Sequence, residues 1–262
     1  MPRLALTLSY DGSLFSGWQT QPHGRSVQDA LEAALAAIAG HPVATVCAGR
    51  TDAGVHALRQ VVHFDTGTPR REQAWVRGVN AHLPAGVAVR SVTPVADDFH
   101  ARFGALRRRY RYLLHCSPVR HPLFAGRAGW TFRTVDVARM RAAAGLLIGQ
   151  HDFSAFRSAE CQAASPVRRL DELTIAVHGP LMIFTFTGNA FLHHMIRNLM
   201  GSLLMVGDGR REPGWIGELL AARDRRLAAA TFAPDGLYLD GVDYDARFGL
   251  ASWGDELLAA FA

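Results

Sequence analysis

Lysine is absent from this chain of 262 residues: all 28 basic side chains are arginine. That excludes Schiff-base and Walker-type lysine chemistry. Cysteine is scarce, with Cys47, Cys116 and Cys161 odd in number, far apart and lacking any Cys-x-x-Cys pair. A disulfide framework and a cysteine-based zinc site are thereby excluded. No apolar run approaches the ~20 residues that span a bilayer. The first residues, Met-Pro-Arg-Leu-Ala-Leu-Thr, lack a signal-peptide core and cleavage site, so a cytoplasmic protein is expected.

What is present is a hydrophobic content of 49%, enough to bury a large core and to form two domains of ordinary size. A net charge of +5 carried on clustered arginines suits a polyanionic partner such as nucleic acid, since a guanidinium binds phosphate bidentately and stacks on bases. Arg3 to Tyr10 alternates with the period of a half-buried strand. Ser26 reads as an N-cap, followed by Val27, Leu31, Ala34, Leu35 and Ile38 at helical spacing until Gly40. Further strands are expected at Val43 to Val46, Gln60 to Asp65 and Val87 to Val95, with a helix from Arg71 to Asn80.

The second half repeats this order with longer insertions. Strands are expected over Arg107 to Cys116, Leu170 to His178, Leu181 to Thr187 and Leu237 to Asp243, with helices over Val137 to Ile148 and Ala190 to Val206. The pattern gives an α+β fold of two ferredoxin-like (split β-α-β) halves. Their mainly antiparallel sheets would be joined about a pseudo-two-fold, with the active cleft between them. The boundaries are 1–104 for the half bearing the Asp52 loop, 105–245 for the second half, and 246–262 for a tail. With Leu250, Trp253, Leu257, Leu258 and Phe261, the tail suggests a short amphipathic helix.

Chemistry concentrates in Cys47-Ala-Gly-Arg-Thr-Asp-Ala-Gly-Val-His-Ala57, which sets Asp52 among small residues after a short apolar run. Gly49 and Gly54 allow a tight backbone and close approach of a ligand. If Arg50 to Asp52 is extended, their side chains share a face roughly 7 Å apart, so Arg50 can hold the carboxylate ionised. An ionised Asp suits a nucleophile or charge partner better than a general acid. A plain turn Asp that caps backbone amides has the same local pattern.

Gly49-Arg-Thr-Asp-Ala-Gly-Val-His-Ala57 resembles the active-site segment of the TruA family of tRNA pseudouridine synthases. Three further stretches resemble the family in order: Asp97 to Tyr112, His151-Asp-Phe-Ser-Ala-Phe-Arg157, and Asn189 to Asn198. The resemblance implies isomerisation of uridine to pseudouridine at positions 38–40 of the tRNA anticodon stem-loop. It implies Asp52 as the catalytic carboxylate with Arg50 beside it, Tyr110 stacking on the target base, and Arg157 holding Asp52 and filling the space of an extruded base. His193 and Arg197 would contact RNA. A homodimer working without redox cofactor or metal is the family's typical form.

Other readings compete at particular residues. The Arg107–Tyr112 segment could be a strand with buried tyrosines and solvated arginines. Adjacent His193 and His194 invite a metal, but on a helix they point about 100° apart with no carboxylate at ligand spacing, so none is expected. Phe64-Asp65-Thr66-Gly67 matches the aspartic-protease Asp-Thr-Gly, which needs a second carboxylate that the sequence does not provide. A non-catalytic RNA-binding protein of the same fold is the alternative to the enzyme.

Overall fold

The computed structural model describes residues 1–251. The larger elements follow in order as β1 (Arg3–Tyr10), α1 (Val27–Ala39), β2 (Val46–Cys47), β3 (His56–Asp65), α2 (Glu72–His82) and β4 (Val87–Val95). Then come β5 (Arg107–Cys116), β6 (Gly129–Thr131), α3 (Val137–Gly145), β7 (Gly149–Asp152), β8 (Val167–His178) and β9 (Leu181–Gly188). The chain closes with α4 (Met195–Gly207), α5 (Trp215–Ala222) and β10 (Leu237–Asp243). No helix among the described residues is long and apolar enough to cross a membrane. Most of the expected amphipathic tail lies outside the described residues; its start, Ala246–Phe248, is one 3-10 turn.

The chain forms two compact units, one of Met1–Arg108 with the segment from Tyr238, the other of Arg109–Leu237. In the first unit β1 lies between β3 and β4, antiparallel to both, and the short β2 pairs with the far end of β3. The order β4-β1-β3-β2 is that of a split β-α-β unit. β10 returns to lie parallel to β3, pairing Tyr238 with His56 and Leu239 with Ala57. Leu6 and Leu8 are fully buried in the core of this unit, with Phe64 and Trp75 packed edge to face at 5.4 Å.

Helix α1 forms where the sequence places it. The Ser26 hydroxyl accepts the Asp29 amide while Asp29 accepts the Ser26 amide, a reciprocal cap, and Gly40 ends the helix at φ +77°. By contrast β3 begins at His56, four residues before the expected start, because the turn after Asp52 leads directly into the strand.

The second unit has the strand order β5-β9-β8-β7, with β8 antiparallel to both neighbours and β6 parallel to β5. Its core holds Tyr112, Phe153, Phe156, Phe184 and Phe186, all fully buried. Two expectations are corrected here. Helix α3 stops at Gly145, and the chain from Gly149 pairs with β8. Helix α4 begins at Met195 because Asn189 does not cap it: the Asn189 Oδ1 accepts the amides of Arg169 and Ala190 instead. His194 takes the capping position in the left-handed region, at φ +62°.

Candidate active site

Asp52 stands on the connection between β2 and β3, and almost every residue around it is tied down. The Ala48 amide donates to the Val61 carbonyl at 2.8 Å, and the buried Arg108 guanidinium donates to the Ala48 carbonyl at 3.1 Å. Gln60 donates to the Gly49 carbonyl at 2.6 Å. The hydroxyls of Tyr10 and Thr51 share a hydrogen bond of 2.8 Å, and the Trp18 amide donates to the Thr51 carbonyl at 3.0 Å.

After Asp52 the Val55 amide donates back to the Asp52 carbonyl at 3.1 Å, closing a tight turn. Its third residue, Gly54, has φ +80°, a conformation that a side chain disfavours. The other arm of the site, Gly17, approaches the loop with φ +90°. Asp52 is left half-buried at the tip of a loop with fixed flanks. Such an arrangement can present a carboxylate to a reacting carbon without reorganisation at the moment of reaction.

Arg50 is exposed, two residues before the half-buried Asp52. Its neighbours on both sides are held, Gly49 through its carbonyl and Thr51 through its hydroxyl. Asp65 belongs to a different structure. Its carboxylate meets the Arg3 guanidinium in a two-point pair of 2.8 Å at the paired ends of β1 and β3, and Arg3's hydrogen bonds hold it below the usual carboxylate range. Asp65 is thus a clasp between strands, which removes the protease reading.

The second unit carries the remaining expected residues. Tyr110 on β5 is buried, its ring edge to face with Phe191 at 5.1 Å. Arg111 is also buried, so the expected alternation of buried tyrosines with solvated arginines does not hold. Arg157 follows the buried Phe153 and Phe156 and donates to the carbonyls of Cys161 and Ala163, at 2.6 and 2.9 Å. Burial by itself raises the Cys161 thiol, but hydrogen bonds from the Ala163 and His193 amides and the Arg157 charge bring it below its ordinary value.

Two carbonyl contacts fasten this segment. The Ser158 amide donates to the His193 carbonyl at 3.1 Å, and the buried Asn198 amide group donates to the Phe156 carbonyl at 2.8 Å. Arg157 and His193 therefore belong to one bonded cluster, whereas the Arg197 guanidinium is turned to the Phe232 carbonyl at 2.9 Å. His193 and His194 precede the helix, and their rings lie 4.0 Å apart, so the 100° separation expected on a helix does not apply. Tyr10, Thr51, Gln60 and Asn198 were not singled out from sequence. Gln60 lies in a strand that also holds Arg59 and His63, so composition does not mark it.

A family model described as tRNA pseudouridine synthase matches residues 7–104 and 143–245. The chain belongs to that family and is an isomerase that converts uridine in tRNA to pseudouridine. The tRNA pseudouridine synthase A of Bordetella petrii is 60% identical over 252 residues, covering 95% of this chain and 94% of that protein. That of Bordetella parapertussis is 58% identical over 265 residues, covering 100% and 98%. The Methylibium petroleiphilum enzyme of the same name is 60% identical over 248 residues, covering 95% of each chain. A solved Cbf5-Nop10-Gar1 complex is matched over 77% of this chain and 45% of that one, at 13% identity and a TM-score of 0.35, too slight a likeness to carry weight.

Proposed function

We propose that this chain forms pseudouridine at positions 38–40 of the tRNA anticodon stem-loop, with Asp52 as the catalytic carboxylate. The observation that carries the reading is the Asp52 loop itself. A half-buried carboxylate with pinned flanks, one residue beyond a buried Thr51, is built for a fixed encounter with a substrate atom.

The chemistry is an internal exchange that needs no oxidant. The C1′–N1 bond breaks, the uracil turns, a C1′–C5 bond forms, and the proton lost from C5 is balanced by one gained at N1. A carboxylate serves this either by bonding to C1′ or by removing a ribose proton to give a glycal-like intermediate, and both routes begin with Asp52 ionised. Tyr110 supplies a flat face for the target base, Arg157 the charge and bulk that replace an extruded base, and Arg50 a second cation beside the carboxylate. His193 and Arg197 contact RNA. The enzyme works as a cytoplasmic homodimer and uses neither a metal nor a redox cofactor.

The test is incubation with unmodified tRNA in the absence of any added cofactor, followed by carbodiimide treatment and primer extension. New stops confined to positions 38–40 are the expected result. Stops elsewhere in the tRNA, with none in the anticodon stem-loop, would overturn the assigned target.

A further inference from the structure

We propose that Tyr10 and Gln60 are positioning residues for the Asp52 loop, acting through Thr51 and Gly49; this rests on the reading of Asp52 as the catalytic carboxylate. Gln60 sits on β3 opposite Leu8, with no exposed surface. Its Nε2 donates to the Gly49 carbonyl at 2.6 Å and lies 3.4 Å from the Tyr10 hydroxyl. Its Oε1 has no hydrogen-bond partner among the described residues. Burying an amide oxygen without a partner costs free energy, and an apolar side chain of the same shape would avoid that cost. That cost offsets what the bond to the Gly49 carbonyl contributes, so stability alone gives glutamine little advantage at this position.

The two contacts bracket the loop. Gln60 fixes the carbonyl before Arg50, and Tyr10 fixes the hydroxyl after it, at 2.8 Å, immediately before Asp52. Tyr10 reaches this place because β1 is irregular between Leu8 and Tyr10, which moves its pairing from the regular register to Ala57. Its ring packs against Trp18, whose own amide holds the Thr51 carbonyl. Thr51 is thus gripped at side chain and backbone from one side of the unit, and the carboxylate next to it inherits that placement.

The variants are Tyr10→Phe, which removes only the hydroxyl, Gln60→Leu, Thr51→Val and Thr51→Ser. Each is read by melting temperature, by tRNA affinity on filters, and by the single-turnover rate at saturating enzyme. Tyr10→Phe and Thr51→Val should each slow the rate by about tenfold with affinity within about twofold, since a displacement of a fraction of an ångström is enough. Because they break the same bond, the double variant should be no slower than either single one. Thr51→Ser, which keeps the hydroxyl, should run near the wild-type rate. Gln60→Leu removes the unpaired oxygen but also the donor to the Gly49 carbonyl, so it should melt within a few degrees of wild type while turning over more slowly.

Rates within about twofold of wild type for both Tyr10→Phe and Gln60→Leu would overturn the proposal. So would rate losses in Tyr10→Phe and Thr51→Val that multiply in the double variant, or losses matched by equal losses of affinity. An Asp52→Asn control separates the two levels. If it is inactive while the positioning variants are normal, this inference alone falls; if it turns over, the reading beneath it falls as well.

Discussion

Replacing Gly17 by alanine perturbs the Asp52 loop from outside it, by an amount the structure fixes. A Cβ on Gly17 would lie 2.9 Å from the Thr51 carbonyl oxygen, 3.1 Å from the Ala53 nitrogen and 3.2 Å from the Asp52 carbonyl carbon. All three are backbone atoms and cannot rotate aside. Restoring an ordinary contact of about 3.4 Å requires the loop to move by about half an ångström. A displacement of about 1 Å costs on the order of 100-fold in rate, so half of that costs about tenfold. The φ of +90° adds a backbone cost of about 1–3 kcal/mol. Gly24→Ala is the matched control, because its φ is +64° but a Cβ there meets nothing within 4 Å. Urea denaturation should show both variants destabilised, and single-turnover kinetics should show only Gly17→Ala slowed. Equal rates for the two variants would refute the claim that Gly17 sets the position of Asp52.

His63 makes stability fall with acid. Burial first, then the Arg3 and His100 charges, hold its pKa at about 4, and its Nδ1 accepts the Ala101 amide at 3.1 Å. The unfolded chain titrates near 6.5, so this contribution is complete above that pH and is lost as pH falls from 6.5 to 4, by up to about 3 kcal/mol. His63→Asn should flatten the wild-type slope of unfolding free energy across that window, and an unchanged slope would contradict it. Arg157→Lys should lower the saturated single-turnover rate sharply with a smaller change in affinity, because Lys keeps the charge but not the planar guanidinium, whose Nη2 alone holds the Cys161 and Ala163 carbonyls and leaves its other N–H groups for the site. A near-normal saturated rate with weaker, less salt-dependent binding would show a phosphate contact instead. EDTA should leave activity intact; a loss restored by zinc would overturn the metal-free mechanism, whereas magnesium acting through tRNA folding would not.

Those parts of the fold that depend on local chemistry were legible in the sequence. Ser26 and Gly40 bound α1 because caps act within one turn, and Arg107–Cys116 reads as a strand because Tyr110, Tyr112 and Leu114 alternate along it. The start of α4 was hidden because Asn189 resembles an N-cap, while its oxygen is already committed to the amides of Arg169 and Ala190 across a strand pair. Positive φ at His194 leaves no mark in composition. Strands β6 and β7 span three and four residues, too few to show a period, and β2, at Val46–Cys47, shares only Val46 with the strand expected at Val43 to Val46.

At the site, the Asp52 motif was visible because its glycines and carboxylate are contiguous. Its supports were not. Tyr10, Gly17 and Gln60 reach the loop only through the pairing of β1 with β3 and the path of the chain after Tyr10. Burial of Arg108 and Arg111 likewise depends on the fold, since nothing in the run of arginines distinguishes the solvated from the enclosed.

The most direct test of the central claim is the single-turnover rate of Asp52→Asn on unmodified tRNA, measured beside its tRNA affinity. Asparagine keeps the shape but neither bonds to C1′ as a carboxylate nor removes a ribose proton. Pseudouridine formation should fall below about one per cent of wild type while affinity, carried by dispersed arginine contacts, changes by no more than a few fold. Turnover persisting above a few per cent, with the protein folded and bound, would contradict the assignment of Asp52 as the catalytic carboxylate.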